Sequence, residues 1–423
     1  MTQEESQEGG GVLSRLRTEF GFIQGNFLIM VTSWLILDFA TEMPMTYFPL
    51  FIKELGGTVS TVGLITGSMM VANAIVQIPG GYLTDKYGRK WLIASMTLIA
   101  GLANIFYVIA PNWEFILLGA LISGLCKIYQ PALNAIVMDS LPKDRRGMGF
   151  SIVNLIASAS TTPAPLLAGY LYSIYGLVPS VRLGFVVALM GFLAAAILRF
   201  RLEETIEEPD PVNIRELAHT IPESIRESIT VWSHVPKSAF FLFITRVISM
   251  FAFGIFQPVF AFYIIEDLGI GEVNFSYIMT TLFLSMILLS LPAGKLIDKV
   301  GKKNPLIATF ILWILASVLF IYGDFVRVVI AMTMMGMLMV LINTAGSALS
   351  ADLVPKNHRG KTGGASGFFT MIAQSGGMAL GGYIYDNINH QLPFQLNVIL
   401  PVIPMILAIF FINEPSPEEI NGA

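Results

Sequence analysis

Twelve runs of about 20 apolar residues dominate this chain, and no other feature constrains its folding as much. A helix needs about 20 mostly apolar residues to cross about 30 Å of hydrocarbon. Segments near 26–52, 60–83, 91–110, 114–138, 147–175, 181–199, 238–265, 273–296, 305–323, 326–350, 362–385 and 393–412 meet that requirement. Lipid offers backbone amides no partner, so each run is predicted to be helical. Composition agrees: 13% of the 423 residues are charged, about half the usual ~25% of a soluble domain. The chain reads as an all-α membrane protein with twelve transmembrane helices.

The placement of basic residues predicts the orientation. With the N-terminus in the cytoplasm, 20 of the 25 lysines and arginines fall on the cytoplasmic side, Arg199 and Arg201 among them. Only Lys53, Arg182 and Arg327 fall outside, and Lys127 and Arg246 lie within spans. Lysine and arginine concentrate in cytoplasmic loops, so both termini are expected inside. The N-terminus lacks an apolar stretch behind a basic start, so no cleaved signal is expected.

The organisation follows: a tail (1–25), six spans (26–199), a polar linker (200–237), six more spans (238–412) and a second tail (413–423). In the linker, Ile214, Leu217, Ile221, Ile225, Ile229 and Trp232 recur at helical spacing and predict an amphipathic surface helix.

Several function classes drop out. A net charge of −4 does not suit a nucleic-acid partner, and a single cysteine, Cys126, cannot build a disulfide framework or a cysteine metal site. No nucleotide-binding loop is present. A membrane enzyme would need a nucleophile–base pair or a metal set at membrane depth, yet none of His219, His234, His358 and His390 is central in a span. The reading is not an enzyme, with no cofactor and no metal.

The two halves repeat. Gly81, Asp85, Gly88, Arg89 and Lys90 follow the second span, and Gly294, Asp298, Gly301, Lys302 and Lys303 follow the eighth, 213 positions later. Asp139 with Arg146, and Asp352 with Arg359, keep the same offset, as do Gly169-Tyr-Leu-Tyr172 and Gly382-Tyr-Ile-Tyr385. A constant offset marks a duplication, and two six-helix bundles related by an axis along the membrane normal form a transporter architecture.

Glycines 81 and 294 would let neighbouring helices approach closely, and glycines 88 and 301 would allow turns with positive φ. Asp139 with Arg146, and Asp352 with Arg359, are expected to form ion pairs.

The twice-repeated Gly-x-x-x-Asp-x-x-Gly-Arg/Lys-Lys loop resembles the signature of the major facilitator superfamily. The resemblance covers residues 20–412 and implies that superfamily's fold, with the loop residues latching an outward-open state.

Ionisable residues inside spans are functional candidates because hydrocarbon penalises them. Asp38 and Glu42 share one helix face, one turn apart. Asp38 lies roughly 17 Å from its cytoplasmic helix end, Lys127 roughly 18 Å from Asp139 and Arg246 roughly 12 Å from Ser238, at 1.5 Å per residue. In the resembled fold these spans line a central cavity. The stretch Lys127-Ile-Tyr129-Gln130-Pro-Ala-Leu-Asn-Ala135 is similar to the Arg-x-x-Gln-Gly-x-x-x-Ala stretch of drug/proton antiporters, with Lys and Pro131 substituted. The fifth-span signature is represented only by Ala164-Pro165-Leu-Leu-Ala168-Gly169.

A carboxylate that alternates between a proton and a cationic partner is the minimal basis of antiport, because burial and like charge favour protonation while a cation opposes it. Asp38 is therefore the expected proton carrier, with Glu42 and Lys127 assisting. Trp34, Tyr129, Gln130, Phe253, Phe256, Gln257 and Asn343 are candidate cavity or substrate contacts, in a phenylalanine- and methionine-rich setting suited to varied apolar ligands. Arg246 either binds an anion or snorkels to the headgroups.

The function expected is proton-coupled efflux of lipophilic or amphipathic small molecules by a monomer in the plasma (inner) membrane. The alternatives are symport or facilitated uptake of a small organic anion bound by Arg246 and Lys127. The partners are thus substrate, protons and the lipid bilayer, with no nucleic acid.

Overall fold

The computed structural model describes residues 21–86, 88–142, 146–206, 226, 230–355 and 358–414, without the side chains of Asp85, Arg146 and Asp298 among others. Most of the two tails and nearly all of the expected amphipathic helix lie outside the described residues. Of that helix only Arg226 and Thr230–His234 are described, the latter including a 3-10 turn at Val231–His234.

Every regular element among the described residues is a helix. The first half holds α1 (Gly25–Met45), α2 (Phe48–Glu54), α3 (Val59–Lys86), α4 (Lys90–Ile109), α5 (Trp113–Cys126), α6 (Gln130–Ser140), α7 (Arg146–Thr161), α8 (Ala164–Tyr175) and α9 (Leu177–Arg199). The second holds α10 (Lys237–Phe256), α11 (Glu272–Val300), α12 (Lys303–Ile321), α13 (Phe325–Leu353), α14 (Arg359–Asn387), α15 (Leu392–Ile399) and α16 (Val402–Phe411).

Proline explains why several expected spans arrive as two helices. It fixes φ and has no amide to donate, so it starts helices readily and interrupts them when internal. Pro49 sits in the first turn of α2, Pro131 in that of α6 and Pro165 in that of α8. Pro258 lies between α10 and the short helix Phe260–Phe262, and Pro401 directly precedes α16.

Ten helical segments among the described residues are long and apolar enough to cross a membrane. The other two expected spans look different. The fifth is divided into α7 and α8, and the eleventh is the single 29-residue helix α14, rich in glycine and hydroxyl side chains. Large apolar residues such as Leu35, Ile75, Leu155, Met190, Leu288 and Phe410 are exposed on the helices, as a lipid-facing surface requires.

Helices pack mainly within their own half, and the halves are joined most closely by α3 with α14 and α8 with α11, and more lightly by α7 with α11 and α2 with the short helix Phe260–Phe262. The seam is tightest at the end farthest from the linker. There a β-carbon at Gly63 would run into the Met378 carbonyl, and one at Gly382 would meet the backbone of Val59 and Ser60. Toward the linker end, Gly81 and Gly294 have nothing within 4 Å of a β-carbon position. The close helix approach expected at these two glycines is therefore not found.

Candidate functional site

Asp38 and Glu42 lie half-buried on one face of α1. Neither carboxylate is hydrogen-bonded or ion-paired among the described residues. Lys127 opens a 3-10 turn, Lys127–Tyr129, that interrupts the fourth span just before Pro131. Its charge acts on Asp38 from a distance, together with that of Arg199, and no ion pair joins Lys127 to Asp38 among the described residues.

Arg199 is the residue that sequence reasoning misplaced. Counted as a marker of the cytoplasmic rim, it is in fact fully buried. Its Nε donates to Ser33 Oγ at 3.1 Å and its Nη1 to Thr97 Oγ1 at 2.7 Å. Both hydroxyls donate their own protons to carbonyls of their helices, Met30 O and Ile93 O, which leaves oxygen lone pairs for the guanidinium. The cation also lies 5.7 Å from the centre of the Tyr129 ring, within reach of a cation–π attraction. The available signal was Ser33 and Thr97, two hydroxyls in otherwise apolar stretches of α1 and α4.

The remaining candidates divide. Tyr129 and Phe256 are buried; Phe256 stacks on Phe260 and meets Phe320 and Phe394 edge-on. Trp34, Gln130 and Phe253 are half-buried, and Gln257 Oε1 accepts from Gln374 Nε2 at 3.1 Å. Arg246 and Asn343 line one cavity of about 350 Å³ between α10, α13 and α14.

The repeated loops are built as predicted at their turns, with φ of 94° at Gly88 and 86° at Gly301. The ion pair expected between Asp352 and Arg359 is not found among the described residues. Asp139 is paired with Arg89, and Asp352 with Lys302. Arg359 instead donates to the carbonyls of Ala351 and Val354, at 2.6 and 3.1 Å. The Arg146 side chain lies outside the described set. The basic residue after each turn glycine reaches the aspartate at the end of the fourth or tenth span, and Arg359 satisfies the exposed end of α13.

Two further carboxylates complete the arrangement. Glu204 Oε2 accepts from the backbone amides of Arg89 and Lys90 at 2.9 and 3.0 Å. Glu414 Oε1 does the same for Lys302, at 2.6 Å, and for Lys303. Each places negative charge at a helix start, where free amides and the helix dipole favour it. Although burial pushes the Glu204 carboxyl up, amides of Lys90, Arg89, Thr205 and Ile206 together hold it below its ordinary value of 4.5. Leu202-Glu-Glu204 and Ile412-Asn-Glu414 are a further repeat, hidden because their spacing is 210 and not 213.

At the opposite end the polar contacts cross between halves. Lys53 Nζ pairs with Glu266 Oε2 at 2.6 Å, the Ser60 amide donates to Asp386 at 2.6 Å, and the Tyr47 hydroxyl donates to the Glu272 carbonyl at 2.7 Å.

An all-helical membrane protein, duplicated about a seam that is sealed at one end and carrying unpaired charges in its spans, is a carrier. The chain belongs to the Major Facilitator Superfamily, whose family model matches residues 30–246 and 242–423. It is 24% identical over 366 residues to an uncharacterized MFS-type transporter of Methanocaldococcus jannaschii, covering 85% of this chain and 91% of that one. It is 27% identical over 299 residues to multidrug resistance protein MdtG of Escherichia coli, covering 68% and 70%. Among solved structures, a bacterial homolog of the human lysosomal transporter Spinster, inward-facing and occupied, superposes with a TM-score of 0.70 at 16% identity, covering 96% of this chain and all of that one (100%). The protein is a multi-pass membrane transporter.

Proposed function

We propose that this transporter exports lipophilic or amphipathic small molecules in exchange for protons, by alternating access, as a monomer in the plasma membrane. In this reading twelve spans cross the bilayer and the linker end faces the cytoplasm, as the distribution of basic residues favours. The relative named as a multidrug resistance protein supports the substrate class.

The observation that carries the proposal is the Asp38–Glu42 pair, two carboxylates one turn apart with no hydrogen-bond or ion-pair partner among the described residues and with the charges of Lys127 and Arg199 acting on Asp38. A static structural ion pair would hold its partners in contact. A carboxylate poised between cations without bonding them is free to take up and release a proton. Asp38 is the proton carrier, Glu42 shares the proton or contacts the substrate, and Lys127 rewards the deprotonated state. Arg89–Asp139 and Lys302–Asp352 act at the linker-end gate.

The test is flux in proteoliposomes. Asp38→Asn is expected to lose substrate movement driven by a pH gradient by at least about a hundredfold, the scale on which a lost proton-transfer group is felt, while retaining substrate–substrate exchange. Full gradient-driven transport by that variant overturns the proposal. The direction of proton flux relative to substrate separates antiport from symport.

A further inference from the structure

The cavity beside Arg246 holds a guanidinium whose donors find no acceptor among the described residues. The guanidinium of Arg246 makes no hydrogen bond or ion pair among the described residues. Trp232, which closes the linker-end side of the cavity, lies stacked on Phe243 with ring centres 3.9 Å apart and planes 14° from parallel. Its indole Nε1 is buried and without a partner. A cation within a span ordinarily faces a partner, so an unmatched guanidinium on this cavity indicates a missing anion.

The charge balance specifies that acceptor. Arg246 is the only charged residue among the described residues lining the cavity. Asn343, Ser366 and Thr370 provide polar groups around it, and Leu242, Phe243 and Met250 provide apolar wall. One cation with no carboxylate neutralises one negative charge; a doubly charged phosphate monoester would leave a charge unpaired in low dielectric. A volume of about 350 Å³ is at the small end of ligand pockets, which run from about 300 to 1,000 Å³.

The location is equally informative. Arg246 is nine residues into α10 from Lys237, about 13 Å deep at 1.5 Å per residue. On the opposite wall, a β-carbon at Gly367 would come 3.7 Å from Gln77 Oε1 of the first half. The cavity therefore adjoins the seam, where a change in the packing of the halves is felt.

We propose that this cavity is a binding subsite for the anionic group of the transported molecule, a singly charged organic acid with a compact aromatic or branched apolar body. Arg246 binds the carboxylate, and Trp232, Phe243 and Met250 cover the apolar part. This rests on the chain being a transporter and not on the direction of proton coupling. It narrows the amphipathic substrate class to anions.

The experiment uses the full chain in phosphatidylcholine nanodiscs, titrated with 2-naphthoate and with neutral 2-naphthamide, and read by tryptophan fluorescence and calorimetry. Naphthoate is expected to bind at least about tenfold more tightly than the amide, since a charge-assisted bond to a buried donor is at stake. Arg246→Met should lose at least about tenfold of the naphthoate affinity and none of the amide's, and Arg246→Lys should recover part of it, because a point charge replaces a planar fork.

Equal binding by wild type and by a folded, monodisperse Arg246→Met overturns the proposal, and so does equal affinity for naphthoate and naphthamide. A lipid phosphodiester carries the same single charge. If phosphatidylglycerol nanodiscs abolish wild-type naphthoate binding, the occupant is a lipid headgroup and the substrate subsite is refuted; undiminished binding supports it. Titration at equilibrium needs no proton gradient, so its failure is distinct from a failure of Asp38 coupling, which only the flux assay reads.

Discussion

The two ends of the molecule are built from the same chemistry and put it to opposite uses. At the far end, the Lys53–Glu266 pair, the Asp386 bond to Ser60 and the Tyr47 bond to Glu272 each cross from one half to the other. At the linker end, Arg89–Asp139, Lys302–Asp352 and the caps by Glu204 and Glu414 each close within one half. The far end is held shut by bonds that must break for the halves to part there. The linker-end bonds named here hold each half together on its own side of the seam.

The largest expected effect comes from breaking the sealed end. Gly63→Val would overpack the backbone contact with Met378, at a cost of about 1–3 kcal/mol. That shifts the halves toward far-end opening by about fivefold to a hundredfold. A cysteine placed at Ser276, itself only 1% exposed in the seam, should react correspondingly faster with an impermeant maleimide. Unchanged labelling would contradict a far-end seal centred on these glycines.

Glu204→Gln tests the bonding within one half at the other end. Because the folded carboxyl titrates below its ordinary value of 4.5, its contribution is fully present above that pH. It is lost as the pH falls through the lower, folded value. The variant should be less stable than wild type at pH 7, by about 0.5–2 kcal/mol for a helix-capping group, and the gap should close on acidification. Thermal melts at pH 7 and near pH 3 measure this, and Ser276→Cys labelling should not change.

Lys53→Met should have the smallest effect. Both partners of the pair are well exposed, at 44% and 41%, so its loss costs no more than about 1 kcal/mol and is screened by salt. Labelling at Ser276→Cys should rise by no more than about fivefold, and the exchange Lys53→Glu with Glu266→Lys should restore it. A larger effect would show that the pair, and not the glycine packing, holds the seal.

Much of this was legible in the sequence because bilayers read it one-dimensionally. Span positions follow from apolar runs, and Gly88 and Gly301 announced their turns because only positive φ suits those steps. Partner choice was less legible. Arg359 lies near Asp352 in sequence, yet Lys302 reaches that aspartate from the neighbouring loop, a contact only helix packing can create. Arg199 was lost for a different reason: a basic residue ending a span looks like a topology signal whether its side chain turns outward to headgroups or inward to Ser33 and Thr97. The C-terminal counterpart of Glu204 was hidden because the second half is three residues shorter before Glu414.

The 3-10 turn at Lys127–Tyr129 has a mechanical consequence. Such a turn advances about 120° and 2.0 Å per residue, against about 100° and 1.5 Å in an α-helix. Across its three residues the difference comes to about 60° of rotation and 1.5 Å of travel. Lys127 stands on one side of that joint; Asp139, which is bonded to Arg89, is carried by α6 on the other. Any switch of the turn to α geometry would swing the aspartate like a key in a lock, so the fourth span carries Lys127 and the partner of Arg89 as two lengths of one shaft.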